Sequence, residues 1–162
     1  MNIFEQIFRE LNKAKVKYLV VGGVAVNLYG YVRFTGDLDL LVLLDESNLV
    51  KIDKVLRRLG YKERLPVSIK ELGDHKKVKT WLKERNLKAF SFTPPKNNPL
   101  QIDLIIEESL KFDKFNEKRN CKKISGVTIP VVSIEDLIKM KKRANRDKDL
   151  LDLEALIKLK GL

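Results

Sequence analysis

The stretch Val21–Leu44, VGGVAVNLYGYVRFTGDLDLLVLL, decides how this chain folds. Its last part is a buried strand in the making, because Leu38 and Leu40–Leu44 are all apolar. Asp37 and Asp39 nevertheless sit at its start, one residue apart. Strand side chains alternate, so both carboxylates point to the same side. Two like charges so placed repel each other, and one of them tends to take up a proton. Just upstream, the apolar run YLVV (18–21) enters Gly22-Gly23, and VAVNLY (24–29) then has helical character up to Gly30. The order is strand, glycine pair, helix, glycine, Arg-x-Thr, acidic pair, strand.

Working outward, Ile3, Phe4, Ile7, Phe8 and Leu11 predict an amphipathic helix over 2–14. Leu49, Ile52, Leu56 and Leu59 predict another from Glu46 to Leu59, with Gly60 behind it. Residues 61–84 show weak periodicity, with HKKVKTWLKER as a short helix. LKAFSF (87–92) and LQIDLII (100–106) read as strands around the turn TPPKNNP (93–99). KKISGVTIPVV (122–132) reads as a hairpin about Ser125-Gly126. Ser133 with Asp136 starts a helix running to about Arg143, and a last helix covers roughly 147–159. The expectation is one α/β (α+β) domain over 1–162. Its core at about 15–132 is a mixed sheet flanked by helices, and a helical pair follows at about 133–160.

The chain has 162 residues, 44% of them hydrophobic and 34% charged, which suits one globular domain. No run approaches the length of a membrane span, and the charged N-terminus is not a signal peptide. One cysteine, Cys121, and one histidine, His75, exclude a disulfide framework and a Cys/His zinc cluster, and fit a reducing cytoplasm. Cys121 and His75 lack a catalytic partner nearby in sequence. The net charge of +11 attracts polyanions such as RNA or nucleotide phosphates, or else reflects a lysine-rich solubilising surface.

A divalent cation bridging Asp37 and Asp39 would remove their conflict, and hard oxygen ligands suit Mg²⁺ or Mn²⁺. Asp103, again an acid inside an apolar strand, supplies a third carboxylate if its strand neighbours 37–44. Three acids holding metal ions are the apparatus of phosphoryl or nucleotidyl transfer. Gly22-Gly23 offers unhindered backbone N–H groups at a helix start, suited to the phosphates of a nucleotide. There is no Walker A loop and no GxGxxG. Lys141 falls on the stripe Ile134, Leu137, Ile138, Lys141 and so faces inward, where it needs a nucleotide phosphate or a carboxylate as partner, unless it snorkels outward. Arg146 and Asp149, at i, i+3, read as a surface ion pair or a clamp. Trp81, Phe90 and Phe92 read as core, with stacking on a base as the alternative, and KMKKRANRDK (139–148) as a solvated helix end, with tracking of an RNA backbone as the alternative.

VGG (21–23), DLDL (37–40) and IDL (102–104) together resemble the nucleotidyltransferase superfamily typified by DNA polymerase β. RFTGDLDLLV and the ending IEDLIKMKKRANRDKDLLDLEAL (134–156) look most like the branch containing AbiEii-type toxins of type IV toxin–antitoxin systems, with antibiotic nucleotidyltransferases close by. The resemblance implies that Asp37, Asp39 and Asp103 ligate metal and that Asp103 helps to deprotonate the attacking hydroxyl. It implies that Gly22 and Gly23 hold the triphosphate. Arg33 and Thr35 touch phosphates, or Arg33 pairs with an acid and orients it. The expected reaction moves a nucleoside monophosphate from an NTP to a hydroxyl, on RNA such as tRNA, on a protein or on a small molecule. An antitoxin-type protein partner is the expected companion. The alternatives are a toxin–antitoxin partner with weak catalysis or a nucleic-acid-binding domain of the same fold.

Overall fold

In the computed structural model, which describes residues 2–161, the chain forms a seven-stranded mixed sheet with helices packed against it. Helix α1 (Ile3–Lys13) precedes β1 (Tyr18–Val21), α2 (Gly22–Leu28), β2 (Asp37–Val42) and α3 (Glu46–Arg58). The short β3 (Lys62–Glu63) and a 3-10 turn at Ile69–Gly73 lead into α4 (His75–Glu84). Then come β4 (Ala89–Thr93), β5 (Gln101–Ile105), α5 (Ile106–Ser109) and α6 (Phe112–Glu117). The hairpin of β6 (Asn120–Ile124) and β7 (Val127–Val131) precedes α7 (Ile134–Ala144) and α8 (Asp147–Lys160).

The strand order is β3-β4-β5-β2-β1-β7-β6. Strands β1 and β2 pair antiparallel, which places Val21 beside Asp39. Strands β2 and β5 pair parallel, which places Asp39 beside Asp103 and Asp37 beside Gln101. The alternation sorts β2 by face: Leu38, Leu40 and Val42 are buried in the core, while Asp37 is exposed and Asp39 half-buried. The core includes Ile7, Phe8 and Leu11 of α1, so apolar packing begins ahead of residue 15.

Most local expectations match. The 120–131 hairpin turns through Ser125 and Gly126, both at positive φ (50° and 77°), as a tight two-residue hairpin turn demands. Ser133 caps α7 by accepting from the Asp136 N–H at 3.1 Å. Asp74 caps α4, accepting from Lys76 and Lys77, which starts a helix that periodicity alone signals weakly. Some boundaries differ, and two short helices add to the expected set. Helix α2 begins at Gly22 rather than residue 24, so the glycines form its first turn. Strand β2 ends at Val42 rather than Leu44. Helices α5 and α6 are too short for a period to register in the sequence.

Candidate active site

One strand pairing brings the carboxylates together. Strand β2 carries Asp37 and Asp39, and β5, hydrogen-bonded to it, carries Asp103 directly opposite Asp39. Gln101 Nε2 donates to Asp103 Oδ1 at 2.9 Å and fixes that side chain. Gly22 lies against the same carboxylate row, since β1 ends at Val21, the partner of Asp39. Its φ is +68°, and a Cβ there would lie 2.9 Å from Asp39 Cγ and overlap the carboxylate. Glycine is therefore required twice, for conformation and for space. A Cβ on Gly23 would sit 2.7 Å from Thr35 Oγ1 and 3.1 Å from the Arg33 guanidinium.

All eight residues singled out from the sequence (Gly22, Gly23, Arg33, Thr35, Asp37, Asp39, Asp103 and Lys141) line one cleft of about 440 Å³. The acids are not electrically at ease. Burial, then Asp103 and Asp37, push Asp39 from its ordinary 3.8 up to about 7, against the pull of Lys141 and Arg146. Among the described residues, no three Asp, Glu, His or Cys side chains are drawn tightly enough together to hold an ion as they stand. The donor set is nevertheless all hard oxygen, and the bare Gly22 backbone lets the Asp39 carboxylate sit against the glycine turn, in space that a Cβ would take from it.

The same cleft is also lined by a charge network. Arg33 makes a two-pronged contact with Asp152, Nε to Oδ1 at 2.8 Å and Nη2 to Oδ2 at 2.6 Å. Lys141 Nζ lies 2.9 Å from Asp152 Oδ2 and 3.1 Å from Asp149 Oδ1. Arg146 closes the chain onto Asp149 Oδ2 at 2.9 Å. Asp149 and Asp152 are fully buried. Burial raises both acids, but their hydrogen bonds to Arg146 and Lys141, and to Arg33 and Lys141, outweigh it, and Asp149 is held at about 2.

Arg33 thus takes the acid-pairing alternative, and the buried Lys141 finds its partners in α8 rather than in the carboxylates of the sheet. Arg146, itself exposed, clamps the buried Asp149. Residues 139–148 are correspondingly not a wholly solvated end: Lys141 is buried and Arg143 pairs with Glu108 at 2.9 Å. Asp152 went unrecognised in the sequence. Its signal is the i, i+3 spacing of Asp149 and Asp152 on the helix that follows an inward-facing lysine. The remaining candidates leave the site. Phe90 and Phe92 are core, 5.5 Å apart edge to face, and Trp81 packs partly buried on that core. His75 is exposed, its Nε2 2.9 Å from the Leu44 carbonyl oxygen, and Cys121 is exposed on β6.

The family profile described as nucleotidyl transferase AbiEii toxin, type IV toxin–antitoxin system, matches residues 7–162. The chain belongs to the AbiEii family. It is a nucleotidyltransferase. No curated protein matches the chain. Among solved structures, this AbiEii-family chain is similar to the lincosamide antibiotic adenylyltransferase LnuA, lincomycin-bound, at 18% identity over 96% of this chain and 95% of that one, TM-score 0.64. It is also similar to ANT(2")-Ia in complex with adenylyl-2"-tobramycin, at 13% identity over 95% and 85%, TM-score 0.62. An antigenic nucleotidyltransferase-like protein from Paracoccidioides brasiliensis aligns at 16% identity over 98% and 78%, TM-score 0.58. At these identities the structural likenesses establish the fold. No helix among the described residues is long and apolar enough to cross a membrane.

Proposed function

We propose that residues 1–162 act as one domain that transfers a nucleoside monophosphate from an NTP to an acceptor hydroxyl and releases pyrophosphate. The observation that carries this reading is Asp39 in register with Asp103, with the side-chain-free Gly22 against the Asp39 carboxylate. Asp37, Asp39 and Asp103 would hold Mg²⁺ or Mn²⁺, which when bound supplies charge neutralisation for the phosphates. The backbone at Gly22 and Gly23 accommodates the triphosphate closely, and the start of α2 favours its negative charge. Arg33 and Thr35, packed against Gly23, back that end, and Asp152 keeps the Arg33 guanidinium from swinging away. Lys141, fixed between Asp149 and Asp152, adds positive potential to the cleft. The acceptor oxygen attacks the α-phosphorus, the bond to the pyrophosphate oxygen breaks, and Asp103 takes the hydroxyl proton.

The acceptor we favour is RNA, including tRNA. Lys88, Arg143, Arg146 and Lys148 stand at the cleft, and the whole chain carries +11. The family description names a type IV toxin–antitoxin system, which supports a toxin–antitoxin setting; an antitoxin-type partner and a cytoplasmic site of action are part of the same proposal. LnuA is seen with lincomycin and ANT(2")-Ia with adenylyl-2"-tobramycin, so a small-molecule hydroxyl is the competing acceptor. Incubation with α-labelled NTPs, Mg²⁺ and either total RNA or lincomycin and tobramycin separates the two. Label in RNA supports the proposal, and label only in the antibiotic replaces its acceptor. No transfer to any acceptor, or equal transfer by Asp39→Ala, defeats it.

A further inference from the structure

The segment that carries Arg33 and Thr35 into the cleft also holds an aromatic ring outside it. Residues 31–35 alternate: Arg33 and Thr35 are half-buried and line the cleft, while Val32 and Phe34 are 84% and 90% exposed. Single exposed apolar side chains are ordinary on a protein surface. Phe34 differs from them in its place and in how firmly its backbone is held.

The Phe34 ring lies beside Gly36, 3.9 Å from where a Cβ on that glycine would stand. The next residue, Asp37, is exposed, lines the cleft and opens the carboxylate row. The ring therefore sits at the rim of the cleft, next to the acids among which the acceptor hydroxyl reacts. The backbone beneath it is tied on both sides. The Arg33 N–H donates to Asn27 Oδ1 at 3.2 Å, and Arg33 Nη1 donates to the Phe34 carbonyl oxygen at 2.9 Å. The same guanidinium is held by Asp152. Thr35 Oγ1 donates to the Asp37 carbonyl oxygen at 3.3 Å. The segment is thus fastened to α2, α8 and β2, while the ring stays open. A ring presented on a fixed backbone loses little freedom when a ligand settles on it.

We infer that Phe34 is a stacking platform for a base of the RNA acceptor, close to the reacting hydroxyl. The inference rests on the nucleotidyl-transfer reading above, with RNA as the acceptor. Every base has a π-face that stacks on an aromatic side chain, so such a platform tolerates any sequence. The phosphates of the same strand meet the cations at the cleft, Lys88, Arg143, Arg146 and Lys148. The net charge of +11 favours a polyanion on this rim over a second copy of the chain, which it repels. In this role Phe34 positions the acceptor and takes no part in bond making.

The test compares wild type with Phe34→Tyr, Phe34→Leu and Phe34→Ala. The position is open, so all three fold, which thermal unfolding checks. KM for RNA and KM for the NTP are measured by label transfer, and RNA affinity by filter binding. Loss of one base–aromatic stack predicts RNA affinity weaker by roughly five- to 150-fold in Phe34→Leu and Phe34→Ala, with KM for RNA raised to match. Phe34→Tyr keeps the ring and the wild-type values, and KM for the NTP stays put in all three. Phe34→Leu binding RNA as well as wild type overturns the inference, because apolar contact without a π-face then suffices. Wild-type RNA values in Phe34→Ala, or a loss confined to the NTP, overturn it too. So does a wild-type dimer, seen by sedimentation, that Phe34→Ala abolishes, since the ring then belongs to a protein interface. Each of these leaves nucleotidyl transfer intact. Failure of the wild-type protein to transfer label from any NTP overturns both.

Discussion

Replacing Asp39 by asparagine should stabilise the metal-free protein above neutral pH, although it removes a residue assigned to catalysis. The half-buried carboxylate is pushed from 3.8 to about 7 by burial and by Asp103 and Asp37. In the unfolded chain it ionises near pH 4. Between these values the native state binds a proton that the unfolded state has released, so stability falls as pH rises from about 4 to 7. The full shift corresponds to about 4 kcal/mol, and partial solvent access reduces this to roughly 2–4 kcal/mol. The asparagine side chain cannot ionise and escapes that cost. Urea unfolding of both proteins in chelator, at pH 5 and pH 8, measures it. Wild type should lose stability across this interval and Asp39→Asn should lose much less, so that the variant is the more stable at pH 8. A variant less stable than wild type at pH 8 would refute the reasoning, because the carboxylate would then be a net structural asset. Adding Mg²⁺ at pH 8 should raise the wild-type midpoint and leave the variant's nearly unmoved.

Other perturbations probe other parts of the site. Gly22→Ala places a side chain at φ +68° and against the Asp39 carboxylate. Backbone strain alone costs about 1–2 kcal/mol, and urea unfolding with nucleotide titration should show lost stability and weakened NTP binding together. Asp152→Ala strips Arg33 of its partner and Lys141 of one of two, and breaking a buried pair costs about 3–5 kcal/mol in denaturant unfolding. Asp149 and Asp152 both lie below their ordinary values, so the stability they contribute is present above about pH 4. It is lost on acidification as Asp149 titrates near 2, and unfolding midpoints should drop steeply below about pH 4. RNA binding should weaken with salt, and charge removal at Lys88 and Lys148 should flatten that dependence, as read by filter binding.

The features legible in the sequence are those set by local rules. Alternation in DLDL placed both aspartates on one side, and the i, i+3, i+4 stripe turned Lys141 inward. The two-residue hairpin and the Ser133 cap follow from turn and cap chemistry. The adjacency of β5 to β2 was only a condition in the sequence, since nothing local states which strands pair. The structure supplies it, through the register of Asp39 with Asp103. The partners of Lys141 and Arg33 were hidden for the same reason. Arg33 and Asp152 are 119 residues apart, and only the docking of α8 beside the Arg-x-Thr segment joins them. Glu108 was hidden differently: it sits in a four-residue helix with no periodicity to mark it as buried.

The central claim is that the acids on β2 and β5 and the glycine turn after β1 form one nucleotidyl-transfer site. Its most direct measurement is label transfer from α-labelled NTPs to RNA, with Mg²⁺, by wild type, Asp39→Ala and Asp103→Ala. Transfer by wild type that falls at least about a hundredfold in both variants, with released pyrophosphate equal to label incorporated, is the predicted result, on the scale of losing an essential electrostatic or proton-transfer group. Transfer undiminished in either variant would contradict the account.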